Sequence, residues 1–185
     1  MAIVQSARLL TAEEFGDMPD PGYPTELFEG KVVALPQPKP RHGKVCARVG
    51  YLLVKHADEH DLGQVMSNDT GVITERDPDT VRGADVSFYS YARVPRGPLP
   101  NAYLPVSPEL VVEVLSPDDR WSRTTKKVGE YMNVGVLMVV VLDPESERAH
   151  VFESDAAPRV LGADDELTMP GVMGEFRVRV GRFFE

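Results

Sequence analysis

Glu113 stands inside Leu110-Val111-Val112-Glu113-Val114-Leu115, a run otherwise made of aliphatic residues. A carboxylate flanked in this way is costly to fold in unless it is paired or bound to a metal ion. Asp85 has a similar setting in Gly83-Ala84-Asp85-Val86-Ser87-Phe88. Both segments read as strands, and as neighbours in a sheet they would bring two carboxylates close enough to repel. A hard divalent cation removes that repulsion and takes oxygen ligands of this kind, with the backbone carbonyl of Val114 as a further one. Lys127 lies in Lys126-Lys127-Val128-Gly129-Glu130-Tyr131-Met132, on the same helix face as Tyr131. From a helix that directly follows the Glu113 strand, it could reach a scissile phosphate or orient a water molecule. Such a set is suited to phosphodiester hydrolysis. Each residue also has a plainer reading: Asp85 as a strand-end cap, Glu113 as the last polar residue before the core, Lys127 as a surface lysine.

These residues need elements to position them. Thr11-Ala12-Glu13-Glu14 is a capping box and starts a short helix. Residues 18–24 are a turn-rich linker, and residues 26–35 read as a hairpin turning at Glu29-Gly30, with Val32 and Val33 in the return strand. Prolines 36, 38 and 40 break that strand. A long helix over about residues 42–59 buries Val45, Val49, Leu52, Leu53 and His56, and Gly63 closes it. Residues 64–74 and 81–89 are strands separated by the turn Arg76-Asp77-Pro78-Asp79. The proline-rich stretch 94–108 is irregular, a candidate lid or binding loop. Residues 109–115 are apolar enough for a strand buried on both faces. The turn Ser116-Pro117-Asp118-Asp119 leads to a helix over about residues 122–133 that ends at Gly135. Residues 136–142 make a second buried strand, stopped by Asp143-Pro144. Helix between two such strands is a βαβ unit, so the strands should be parallel with a right-handed crossover. The remainder is β-rich, with strands at 149–153, 159–161 and 176–180. An α/β fold follows: a mixed central sheet flanked by helices, an N-terminal β-hairpin and a β-rich C-terminal extension. One domain spanning residues 1–185, with its core at about 41–143, is expected.

Composition narrows the function classes. The 185 residues are 42% hydrophobic, enough for one core, and no apolar run is long enough to span a membrane. Residues 1–6 lack the basic and apolar regions of a secretory signal. Cys46 is the single cysteine, which excludes an intramolecular disulfide and a cysteine-based metal cluster. A reducing, cytoplasmic setting is expected. The net charge of −9 and pI near 5.0 argue against a sequence-independent nucleic-acid binder, which should be basic. They do not exclude a metal nuclease, because a bound cation inverts the charge of its carboxylate site. Substrate contacts would then fall to local basic patches: Lys39, Arg41, Lys44 and Arg48, or Arg120, Arg123, Lys126 and Lys127. Either patch could equally be a solvated helix face.

Taken together, the residues resemble the PD-(D/E)XK nuclease superfamily, whose core is helix, three strands, helix, strand. Within it they resemble the Uma-two family of restriction-endonuclease-like proteins. The resemblance covers nearly the whole chain. It runs through Glu26-Leu27-Phe28-Glu29-Gly30-Lys31-Val32, Pro40-Arg41-His42-Gly43, Ser67-Asn68-Asp69-Thr70-Gly71 and Ala84-Asp85-Val86. It continues through Val112-Glu113-Val114-Leu115-Ser116-Pro117, Lys127-Val128-Gly129-Glu130-Tyr131, Gly135-Val136 and Leu142-Asp143-Pro144. On this resemblance Asp85 matches the metal-binding aspartate and Glu113 the acid of the second half-motif. The usual lysine two places later is absent, since position 115 is leucine, and Lys127 is the matching position in the following helix. Glu26 and His42 match recurrent polar positions near the site; His42 could also be a helix N-terminal residue with no catalytic role. Met138-Val139-Val140 stands where the family commonly has acidic, aromatic and tryptophan residues, and Ala84 replaces the proline of the superfamily's name.

The resemblance implies a restriction-endonuclease-like fold and a metal-dependent endonuclease acting on nucleic acid, DNA above all. Asp85 and Glu113 would hold Mg2+ or Mn2+, and a homodimer would allow both strands of a duplex to be cut. The alternative is a non-catalytic binding or interaction protein on a degenerate nuclease scaffold. A small-molecule phosphohydrolase ranks lower, because the chain has no glycine-rich phosphate loop.

Overall fold

The fold is described from a computed structural model over residues 8–117 and 119–185. The expected lack of a leader at residues 1–6, and Asp118 of the turn at 116–119, lie outside the described residues.

α1 (Ala12–Gly16) starts where the capping box places it. Thr11 Oγ1 accepts the Glu14 N–H at 3.2 Å, and the Glu14 carboxylate accepts the Thr11 N–H at 3.1 Å. β1 (Thr25–Phe28) and β2 (Lys31–Ala34) form the expected hairpin. Its two-residue turn puts Glu29 and Gly30 both at positive φ, which matches the twist of the flanking strands.

α2 (Pro40–His60) begins two residues earlier than its apolar spacing predicts. Pro40 occupies the start of the first turn, where its missing N–H is no loss. The helix does not close at Gly63. Asp61 closes it, adopting the left-handed conformation (φ 58°) and returning its N–H to the carbonyls of Ala57 and Asp58. Gly63 instead opens β3 (Gly63–Glu75), where a Cβ would lie 2.1 Å from the Tyr89 carbonyl oxygen of β4 (Thr80–Ser90). Close strand approach, not helix termination, requires that glycine.

β5 (Leu110–Val114), α3 (Trp121–Asn133) and β6 (Met138–Asp143) form the predicted βαβ unit, and β5 and β6 pair in parallel with Glu113 opposite Val141. β7 (Arg148–Glu153) and β8 (Arg159–Leu161) extend the sheet antiparallel. The strand order is β2-β1-β4-β5-β6-β7-β8, with β3 also paired to β4. The C-terminal stretch is less purely β than its sequence suggests. β9 (Glu166–Thr168) and β10 (Arg177–Arg179) make a separate ladder around the short α4 (Pro170–Met173). The expected strand end at Val180 is instead the start of a 3-10 turn, Val180–Phe183.

Strand alternation assigns the faces. Val112, Val114, Val140 and Leu142 pack with Val45, Val49 and Leu53 of α2. Val111, Val139 and Val141 pack with Val128 and Tyr131 of α3. The two helices therefore cover opposite faces, and Glu113 points to the α3 side. The irregular segment 94–108 is fastened at its ends. Arg93 donates to the carbonyls of Ser107, Pro108 and Gly135, and Tyr103 stacks on Phe15 with ring centroids 6.1 Å apart. No helix among the described residues is long and apolar enough to cross a membrane.

Candidate active site

The β4–β5 ladder runs from Phe88–Leu110 to Val86–Val112. Asp85, one step further, supplies a side-chain acceptor to the neighbouring strand: its Oδ2 takes the Val114 N–H at 2.7 Å. Glu113 precedes that amide by one residue, so the two acids meet the same stretch of β5.

α3 approaches Glu113 from its own face. Lys127 Nζ donates to Glu113 Oε2 at 2.9 Å and to the Gly83 carbonyl at 2.8 Å, and lies 3.3 Å from Glu26 Oε1. Tyr131, one turn later, donates its phenol proton to Glu113 Oε1 at 2.8 Å. Glu26 comes from β1, buried, and accepts the Gly83 N–H at 3.0 Å and Arg82 Nη1 at 2.8 Å. The same guanidinium forks onto Glu130 at 2.6 and 3.0 Å.

α2 approaches Asp85. His42 Nε2 lies 3.3 Å from Asp85 Oδ1, and His42 Nδ1 lies 3.5 Å from Cys46 Sγ. Asp69 sits at the rim, at the bulge that interrupts β3 between Ser67 and Thr70, with Asn68 and Asp69 both at positive φ.

The charges respond to this crowding. Burial pushes the Glu113 carboxyl up to about 7, helped by the Asp85 charge and opposed by Lys127 and Tyr131. Burial works against the Lys127 ammonium, but Glu113 and Glu26 outweigh it and hold the group charged above its ordinary range. The hydrogen bond to Asp85 raises His42. Burial raises Cys46, and partial burial beside the Asp85 charge raises Asp69.

All five residues singled out from the sequence lie in this cluster. Lys127 touches Glu113 and Glu26, while His42 touches Asp85, which reaches β5 through the Val114 amide. Sequence reasoning missed Arg82, Glu130, Asp69 and Cys46. Arg82 had a signal: a guanidinium inside Thr80-Val81-Arg82-Gly83-Ala84 is as anomalous as Glu113 in its own run. Lys127 belongs to the site and not to a surface patch. Lys126 lies 4.3 Å over the Phe28 ring, Arg41 donates to the Pro144 carbonyl, and Arg120 and Arg123 are exposed at the start of α3. Met138, Val139 and Val140 are buried and bring no acid to the cluster.

Comparison with known proteins gives the family and the fold. A family model, Uma2, described as "Putative restriction endonuclease", matches residues 12–181. The chain belongs to that family. No curated protein matches it. A solved structure from Anabaena variabilis ATCC 29413, described as a "putative nuclease belonging to DUF820", superposes with a TM-score of 0.82 at 21% identity, over 95% of this chain and 97% of its own. At that identity the likeness establishes the restriction-endonuclease-like fold.

Proposed function

We propose that this chain is a divalent-metal-dependent endonuclease that hydrolyses phosphodiester bonds of DNA. The observation that carries the reading is the largely buried Glu113 carboxylate, held between Lys127 and Tyr131 next to the Val114 amide that Asp85 accepts. The family's description points the same way.

The donor set suits a hard cation. Glu26, Asp69, Asp85 and Glu113 are carboxylates, answered by Lys127 and by an Arg82 shared with Glu130. Both Glu113 oxygens accept hydrogen bonds, yet an ionised carboxylate has about four lone-pair sites, so each oxygen keeps one for an ion. Asp85 and Glu113 would hold Mg2+ or Mn2+. Such an ion, when bound, supplies Lewis acidity toward a phosphate oxygen and acidifies a water molecule.

The protein's own groups do the rest. Tyr131 fixes the Glu113 carboxylate, and His42 fixes Asp85 Oδ1. Glu26 and the Gly83 carbonyl hold the Lys127 ammonium at the mouth of the pair, where it can turn from Glu113 to a non-bridging phosphate oxygen as charge develops there. Arg120 and Arg123 offer exposed cations for the flanking phosphates. Two copies would be needed to cut both strands of a duplex, and a reducing cytoplasm suits the unpaired Cys46.

The test is cleavage of supercoiled plasmid in Mg2+ or Mn2+, beside EDTA and Glu113→Gln. Nicking that needs the metal and is lost in the variant is expected. A non-catalytic scaffold is the competing reading, favoured by the apolar residues at 138–140. Absence of cleavage in either metal would select it.

A further inference from the structure

We propose that His42, Cys46 and Asp85 form a second metal site, for a single thiophilic divalent ion of the Zn2+ class, which shares only Asp85 with the Glu113–Lys127 half of the cluster. His42 and Cys46 are four residues apart on α2, so consecutive turns of one 21-residue helix present them on one face. One ligand atom from each of the three residues lies within 4.8 Å of the other two. His42 Nδ1 is 3.5 Å from Cys46 Sγ, and His42 Nε2 is 3.3 Å from Asp85 Oδ1. Tetrahedral zinc, with bonds of about 2.0 to 2.3 Å, spaces its ligands by roughly 3.3 to 3.6 Å. The two contacts engage opposite nitrogens of the His42 ring, and an ion binds only one of them, so closing the group around it takes a turn of the imidazole together with the Cys46 and Asp85 side chains. Three protein ligands with an open fourth position is an arrangement zinc accepts.

Ligand softness separates the two halves. Sulfur and imidazole favour zinc or cobalt, while the oxygens around Glu113 favour magnesium or manganese. On binding, the Cys46 thiol gives its proton to solvent, the imidazole binds neutral, and Asp85 exchanges its contact with His42 for one with the ion. Binding stands independently of catalysis. Its consequence rests on the nuclease reading: an ion held here takes Asp85 from the hydrolytic site and inhibits cleavage.

Cobalt(II) titrated into the metal-free protein tests the site. Cys46 is the chain's one cysteine, so a thiolate-to-cobalt charge-transfer band reports that residue alone. The expected result is a band that saturates at one equivalent, is displaced by Zn2+, and persists in Glu113→Gln. Cys46→Ser should abolish the band. Cys46→Ser and Asp85→Asn should each weaken Zn2+ binding by more than the roughly 10- to 100-fold that loss of an outer-shell partner costs. Circular dichroism of each variant controls for folding. No band in the native protein, or equal weakening by Glu113→Gln, would overturn the site. A protein that cleaves nothing but shows the band refutes the nuclease reading and leaves the site standing. Where cleavage is present, Zn2+ should inhibit the native protein at concentrations that spare Cys46→Ser; equal inhibition of both would overturn the inhibitory role.

Discussion

The Lys127 ammonium lies 2.9 Å from Glu113 Oε2, although 14 residues and the whole turn from strand to helix separate them. The contact follows from two periodicities. Strand alternation turns Glu113 to the α3 face, and helical spacing turns Lys127 and Tyr131 back toward it. The pair is largely buried, with the side chains 22% and 13% exposed, so each member is expensive without the other.

Tyr131→Phe isolates one half of that arrangement. The ring packing stays and the phenol donor is lost, which serves Glu113 Oε1 at 2.8 Å and the Gly83 carbonyl at 3.4 Å. Urea unfolding should show a loss of about 1 to 3 kcal/mol, the cost of leaving a buried acceptor short of its partner. Cleavage should fall by less than for removal of the Lys127 charge.

Glu113 should write itself into the pH dependence of stability. Its carboxyl titrates at about 7 in the fold against an ordinary 4.5, raised first by burial. Between those values the folded chain binds more protons than the unfolded one, so stability falls as pH rises through the window and levels off above it. In EDTA, the stability of the native protein relative to Glu113→Gln should decline from about pH 4.5 to about 7. Denaturant melts at several pH values would show this, and parallel profiles would contradict it. A divalent ion that binds the charged form should release protons on binding within the same window.

Arg82 bridges Glu26 and Glu130 and thereby fixes the acid that holds Lys127 from behind. Arg82→Met leaves two largely buried carboxylates without their shared partner. A loss of about 3 to 5 kcal/mol is expected in chemical denaturation. Arg82→Lys should recover little of it, because one ammonium cannot fork onto both acids. Full recovery by lysine would mean that charge, not geometry, is what this position supplies.

The βαβ unit and the anomalous Glu113 could be read from the sequence because burial on both sheet faces leaves a continuous apolar run, against which one charge stands out. The hairpin was legible for a comparable reason, since its turn residues sit between short strands. Asp69 was not, although Ser67-Asn68-Asp69-Thr70-Gly71 carries part of the family resemblance. Its place depends on a bulge with two consecutive positive φ values, and polar residues at 67–70 look the same in a regular exposed strand. One cysteine cannot build a cluster, and although helical spacing puts Cys46 on the face of His42, only the packing of α2 against β4 brings the two beside Asp85. Asp61 as the end of α2 was missed because glycine is the usual signal for a left-handed cap and Gly63 stood nearby.

In the proposed site Asp85 and Glu113 bind the metal while Lys127 acts on the phosphate. Manganese titration by calorimetry, with plasmid cleavage measured on the same samples, separates these roles. Asp85→Asn should lose both metal binding and cleavage. Lys127→Met should keep metal binding and lose cleavage, because it removes a cation from the mouth of the site without removing a ligand. Metal-dependent cleavage surviving in Asp85→Asn would rule Asp85 out as the metal ligand of a hydrolytic site.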